Sequence, residues 1–227
     1  MIASDEILLW VKNIDEAAVD YSTYKSYLDS RELHRANQFY FDHLTKDYIV
    51  CRGFCKSLIA KYLNIEPCDV HFRYGKNGKP YLDHGSKVQF NITHAGRIVA
   101  LAMTACIELG VDVEYHDTSV DTIKLAKHFF AVDEYRHILS TSVEHRTQAF
   151  FECWTRKEAL IKATGDGLSF PLHQFVVNFG TPNEARLLHT YWDPAEATDW
   201  QLYNISIGED YSGAIAIKAK DMKVLRM

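Results

Sequence analysis

Two long stretches of helical periodicity, each followed by a run of short strands, constrain this chain more than any other feature. Between Asp42 and Leu63, Tyr48, Cys51, Cys55, Leu58 and Tyr62 recur at three- and four-residue spacing. That predicts a long helix with one buried face, leaving Arg52, Lys56 and Lys61 largely off it. Arg146 to Ala163 predicts a second long helix, with Phe150, Trp154, Leu160, Ile161 and Ala163 apolar and Gly165 and Gly167 ending it. Strands are expected at Glu6–Lys12, Val70–Tyr74, Tyr81–Leu82, Val88–Thr93, Ile98–Thr104 and Leu109–Glu114. After the second long helix they return at Phe175–Phe179, Ala185–Trp192, Leu202–Ile207 and Ala214–Ala219. Shorter helices fit Ser30–Gln38, the region from Asp121, and a segment through Leu139 capped by Asp133. The order is strand, long helix, strands, then long helix, strands. It gives an α+β chain of two halves with similar plan, residues 1–108 and 109–227, and excludes the regular alternation of a doubly wound sheet.

Composition narrows the function. The 227 residues are 47% hydrophobic and carry a net charge of −5, which argues against a basic nucleic-acid binder. The longest apolar runs are too short to cross a bilayer. The segment Met1 to Trp10 is acidic ahead of its apolar stretch and reads as a first strand rather than a secretory signal. Five cysteines without a Cys-x-x-Cys pair predict buried reduced thiols and a cytoplasmic protein.

Four clusters carry possible chemistry. On a strand, Asp112 and Glu114 of Gly110-Val111-Asp112-Val113-Glu114 project from one face, and paired carboxylates favour a hard cation such as Mg2+. The bland reading is an acidic strand end in solvent. On a helix, Trp154, Glu158 and Lys162 form one stripe, and a surface Glu158–Lys162 pair is the bland reading. Phe90-Asn91-Ile92-Thr93-His94 ends a strand with a hydroxyl and an imidazole, either a structural turn or an anion site. Gly78-Lys79-Pro80 places a lysine in a turn but lacks the P-loop pattern.

Each cluster is weak alone. In this order, with Trp154-Thr155-Arg156-Lys157-Glu158-Ala159-Leu160-Ile161-Lys162, they resemble the Sfp-type 4′-phosphopantetheinyl transferase family. Phe129-Phe130-Ala131-Val132-Asp133-Glu134-Tyr135 and Gly165-Asp166-Gly167-Leu168-Ser169 are similar to that family too. The resemblance is clear from about residue 75 to 172. The specific part is the pairing of Asp-x-Glu with Trp-x-x-Lys-Glu-x-x-x-Lys. Ala131-Val132 stands where Ser-Pro is frequent in the family, and Thr93 where Ser is.

The resemblance implies a pseudo-dimer of two α+β halves with the active site in the cleft between them. It implies transfer of the 4′-phosphopantetheine group of coenzyme A to a serine of an apo carrier protein (acyl, peptidyl or aryl), releasing 3′,5′-ADP. Such enzymes activate fatty-acid, polyketide or nonribosomal-peptide synthesis. Asp112, Glu114 and Glu158 would hold Mg2+, with Mn2+ as a substitute. Asp112, Glu158 and Lys162 would be catalytic, with Lys162 on the pyrophosphate and Glu158, or a metal-bound water, as general base. Coenzyme A would meet Arg52, Lys79, Pro80, Thr93, His94, Asp112, Lys157, Glu158 and Lys162, with Lys157 at the mouth of the site. Arg31 and Arg35 match less closely. Neither nucleic acid nor membrane is an expected partner. Both halves of the cleft on one chain imply a monomer. The alternatives are a non-catalytic coenzyme A or nucleotide-binding module, and a structural interaction domain, which leaves the three acids unexplained.

Overall fold

In the computed structural model the described residues are 2–83, 85–180 and 184–227. Met1, at the head of the acidic N-terminal segment, and the side chain of Leu168 lie outside the described residues. The strands are β1 (Glu6–Asn13), β2 (Phe72–Tyr74), β3 (Pro80–Leu82), β4 (Gln89–Ala95), β5 (Ile98–Thr104), β6 (Leu109–Tyr115), β7 (Phe175–Val177), β8 (Leu187–Thr190), β9 (Gln201–Asn204), β10 (Tyr211–Ile217) and β11 (Lys223–Arg226). The helices are α1 (Ile14–Ala17), α2 (Tyr21–Tyr27), α3 (Ser30–Ala36), α4 (Asp42–Leu63), α5 (Thr122–Phe129), α6 (Val132–Ser140) and α7 (Arg146–Thr164). The α+β expectation and both long helices are borne out.

Strand alternation builds the layers. One sheet runs β11-β1-β5-β4 and another β6-β10-β9. On β5, Val99, Leu101 and Met103 face α4 and join Cys55, Leu58 and Ile59 in one core. Ala100 and Ala102 point the other way, against Leu109, Val111 and Val113 of β6 and Ile215 and Ile217 of β10. Ala214 and Ala216 then turn toward α7 and pack with Phe150, Ala159 and Leu160. The two sheets therefore share a central core, and each carries a long helix on its outer side. Gly110 lets α7 lie close on β6: a Cβ there would fall 2.0 Å from the Ala159 carbonyl oxygen and 2.5 Å from the Ala163 nitrogen. Asn91 of β4 accepts a 2.8 Å hydrogen bond from the Val111 N–H and ties β4 to β6.

Five expectations need correction. Lys56 is fully buried, and the Arg52 side chain is 10% exposed, so α4 buries two cations that its periodicity assigned elsewhere. Each has a carboxylate partner in Glu32, which makes the burial tolerable. Asp133 does not cap α6. The Glu134 carboxylate instead accepts a 2.9 Å bond from the Ala131 N–H. Val70 is followed by a strand that begins only at Phe72. The last strand was not expected: β11 pairs parallel with β1, from Glu6 opposite Lys223 to Leu9 opposite Arg226. All five cysteines are free. Cys51, Cys55 and Cys153 are buried as expected, whereas Cys68 and Cys106 are exposed. Among the described residues no helix is long and apolar enough to cross a membrane.

Candidate active site

The site forms where the edge strands β4 and β6 meet under α7. Gly110, Asp112 and Glu114 share the face of β6 that looks toward the helix, because Val111 and Val113 occupy the central core. The i, i+4 spacing on α7 brings Glu158 and Lys162 to the same place. Lys162 Nζ donates to Asp112 Oδ1 at 2.5 Å and to Thr93 Oγ1 at 3.3 Å, and Thr93 Oγ1 donates to the same Asp112 oxygen at 3.2 Å. Asp112 Oδ2 is buried with no hydrogen-bond partner. A buried carboxylate oxygen left bare is costly in a resting fold and signals an expected ligand.

Negative charge is crowded here. Burial pushes the Asp112 carboxyl up, against the lowering pull of Lys162 and Thr93. Glu158 is raised to about 7, first by burial and then by the charge of Asp112. Glu114 is raised to about 7 as well, by burial, Asp112 and Glu158, with Lys162 and the Trp154 indole opposing. Three carboxylates share one lysine, so the site has an excess of acceptors. That donor set, all oxygen, fits a hard divalent cation. Among the described residues no three His, Cys, Asp or Glu side chains are yet gathered into a metal cage, and Lys162 serves as the cation.

Beside this cluster lies a cavity of about 500 Å³, lined by Lys79, Pro80, Asn91, Glu158, Lys162 and Gly165 among others. The turn before β3 is pinned to the end of α7: Lys79 Nζ donates to the Ala163 carbonyl at 2.9 Å, and Asn77 Nδ2 to that of Gly165 at 2.9 Å. Gly165 adopts φ 78°, a left-handed cap that ends α7 beside the cavity. Across Thr93 opens a second cavity of about 380 Å³ that holds Arg35, Arg52, Thr93 and His94. His94 is exposed at its outer edge, yet packing lowers its pKa, with Lys162 acting in the same direction and Asp47 against it. A larger cavity, about 900 Å³, lies between the first turns of α7 and β9–β10 and contains none of these residues.

Comparisons with known proteins bear on the family of the chain. The model of the 4′-phosphopantetheinyl transferase superfamily matches residues 108–216, and that of the 4′-phosphopantetheinyl transferase N-terminal family matches residues 15–106. The 4′-phosphopantetheinyl transferase HetI of Nostoc sp. is 33% identical over 219 residues, 95% of this chain and 89% of the relative. The chain belongs to the 4′-phosphopantetheinyl transferase superfamily. The Bacillus subtilis transferase Sfp is 29% identical over 68% of this chain and 67% of its own. Among solved structures, the holo-[acyl-carrier-protein] synthase of Thermotoga maritima aligns with 50% of this chain and 64% of its own at 20% identity and a TM-score of 0.40.

In this transferase the fold gathers Asp112, Glu114, Glu158, Lys162 and Thr93 into one cluster. It sets Lys79 and Pro80 along its wall, and Arg52 and His94 in the neighbouring cavity. Arg31 stands one cavity farther on, which Arg35 also lines. Lys157 is not brought to the site. It is fully buried on another face of α7, paired with Glu134 at 2.8 Å and donating to the carbonyls of Leu172 and Phe175 at 2.9 and 2.6 Å. Asn77 and Asn91 were given no role from sequence. Asn91 could have been placed, since it alternates with Thr93 on β4 and must share its face.

Proposed function

We propose that this transferase uses the β4–β6–α7 cluster to move the 4′-phosphopantetheine arm of coenzyme A onto a serine of an apo carrier protein, with release of 3′,5′-ADP. The observation that carries this reading is Asp112: Lys162 and Thr93 fill one of its oxygens, and the other waits for a partner. Asp112, Glu114 and Glu158 are the residues that would hold Mg2+. The bound cation would supply charge neutralisation on the pyrophosphate.

The chain's own groups account for the remaining steps. Lys162 shifts from Asp112 onto a phosphoryl oxygen, which keeps its charge next to the developing negative charge. Thr93 holds the freed carboxylate oxygen. Glu158 takes the proton from the carrier's serine, directly or through a water it holds. The serine oxygen bonds to the outer phosphorus of coenzyme A. The bond from that phosphorus to the bridging oxygen breaks, and the electron pair leaves with 3′,5′-ADP. Lys79 and Pro80 line the nucleotide end of the cleft, and Arg52, Thr93 and His94 take a coenzyme A phosphate. Both walls come from one chain, which favours a monomer. Soluble carriers and coenzyme A favour the cytoplasm.

Intact mass of a panel of apo acyl, peptidyl and aryl carrier proteins, incubated with the protein, coenzyme A and Mg2+, tests the reading. Gain of one phosphopantetheine arm is expected with wild type and not with Glu158→Ala. Binding of coenzyme A without any gain would leave only a binding module.

The shared charge also sets a pH dependence. Glu114 and Glu158 hold protons more tightly folded than unfolded, so the free protein loses stability as pH rises from their ordinary value of 4.5 through about 7. His94 and His116, both lowered by burial, act in the opposite direction near their ordinary 6.5. The clean measurement is therefore a difference in melting temperature between wild type and Glu158→Gln, from the ordinary 4.5 up through about pH 7. Wild type should fall more steeply, and Mg2+ should raise its melting temperature more at the higher pH. Parallel curves with no Mg2+ effect would refute the shared acidic site.

A further inference from the structure

The proposed phosphate-facing arginine rests on a buried carboxylate that the reaction does not use. Glu32 on α3 is 6% exposed. It closes a capping box, its Oε2 accepting from the Asp29 N–H at 3.0 Å while Asp29 Oδ1 accepts from the Glu32 N–H at 2.8 Å. A cap alone needs no further partner. Yet Lys56 Nζ, fully buried on α4, lies 2.7 Å from the same Oε2 and donates also to the Tyr27 carbonyl at 2.8 Å. Arg52, one helical turn before Lys56, places its Nε 3.6 Å from Glu32 Oε1, an ion pair too long for a hydrogen bond.

The Arg52 guanidinium is held in three ways. Its carbon sits 5.6 Å from the centre of the Tyr48 ring and 5.0 Å from that of Phe72, so two aromatic faces fix its plane. Glu32 attracts its Nε end. Its Nη1 is buried without a hydrogen-bond partner, on a side chain that lines the cavity shared with Thr93 and His94. The charge count decides what this does. One carboxylate faces two cations, so the cluster keeps one net positive charge at the cavity wall. Lys56 contacts Glu32 closely and Arg52 does not, so the charge left over belongs to the arginine.

We infer that Glu32, anchored by Lys56, is a positioning residue that turns Arg52 toward this cavity for an anionic group of the substrate. The inference rests on the reading of that cavity as a coenzyme A phosphate site. Direct truncation of Glu32 would leave Lys56 buried and unpaired, so the test uses Glu32→Gln with Lys56→Met, which removes both buried charges together. The probe is 3′,5′-ADP, bound without Mg2+ and followed by calorimetry, alongside KM for coenzyme A and kcat.

Arg52→Ala should weaken 3′,5′-ADP binding about tenfold. The Glu32→Gln/Lys56→Met protein should show a similar loss and a similar rise in KM, with kcat at saturating coenzyme A within about twofold of wild type. Adding Arg52→Ala to it should cost little more, because the three residues act through one guanidinium. Glu32→Asp, which keeps the charge, should recover part of the affinity. Additive losses, or a fall in kcat with KM unchanged, overturn the positioning role while leaving the phosphate cavity intact. Unchanged 3′,5′-ADP binding in Arg52→Ala overturns the cavity's assignment, and the positioning role with it.

Discussion

Asp112→Asn is expected to lower the transfer rate by about 10²–10³-fold while the melting temperature stays level or rises. The two effects separate because the same carboxylate is useful to the reaction and awkward for the fold. Asp112 is 2% exposed, burial raises its pKa, and one of its oxygens has no partner. An isosteric amide removes the buried charge, and Lys162, 29% exposed, can turn to water. Under the proposed assignment the amide also removes a Mg2+ ligand and leaves Lys162 without its resting partner. The measurement pairs carrier mass gain per unit time with a thermal melt in Mg2+-free buffer. Near-wild-type transfer would sink the assignment. Lost activity with a large fall in melting temperature would recast Asp112 as structural.

The second large effect is in stability, at a residue the sequence placed in the site. Lys157→Met should destabilise the protein by about 3–5 kcal/mol. Glu134 would be left buried at 2% exposure with its charge uncompensated, and the Leu172 and Phe175 carbonyls would lose a donor. Glu134 binds more than the lysine: its two oxygens accept from the N–H groups of Ala131 and Val177 at 2.9 and 2.8 Å. The network thus joins the start of α6, the start of β7 and the middle of α7. Combining Lys157→Met with Glu134→Gln should recover part of the loss, since no ion is then stranded, although the single amide oxygen keeps only one of the two N–H partners. Chemical denaturation of both variants checks this. A single variant within about 1 kcal/mol of wild type would show that the pair carries little.

These residues mark what the sequence could and could not reveal. The period of a strand put Asp112 and Glu114 on one face, and the pitch of a helix put Glu158 with Lys162. Both rules are local, and both placements survive in the fold. Lys56 escaped because a helical wheel gives direction without giving partners, and Lys157 because a motif match carried it to the site mouth. Their carboxylates, Glu32 and Glu134, lie on other helices and are brought near only by tertiary packing. The α6 cap failed for a different reason: Asp133 is a good capping residue, but Glu134 had the geometry to reach the Ala131 N–H. β11 escaped because four residues carry little pattern and their partner strand is at the opposite end of the chain.

The position of β11 has a consequence for synthesis. β1 finds one neighbour in β5, nearly a hundred residues on, through Leu8 to Asn13, and the other only in Lys223–Arg226, through Glu6 to Leu9. At ordinary translation speeds, one edge of the first sheet stays unpaired for on the order of ten to forty seconds while the rest of the chain emerges. During that interval the exposed backbone of β1 can recruit a strand from another nascent copy. A tag or nick within the final ten residues would therefore be felt first at the opposite end of the polypeptide, as aggregation in the newly made N-terminal half.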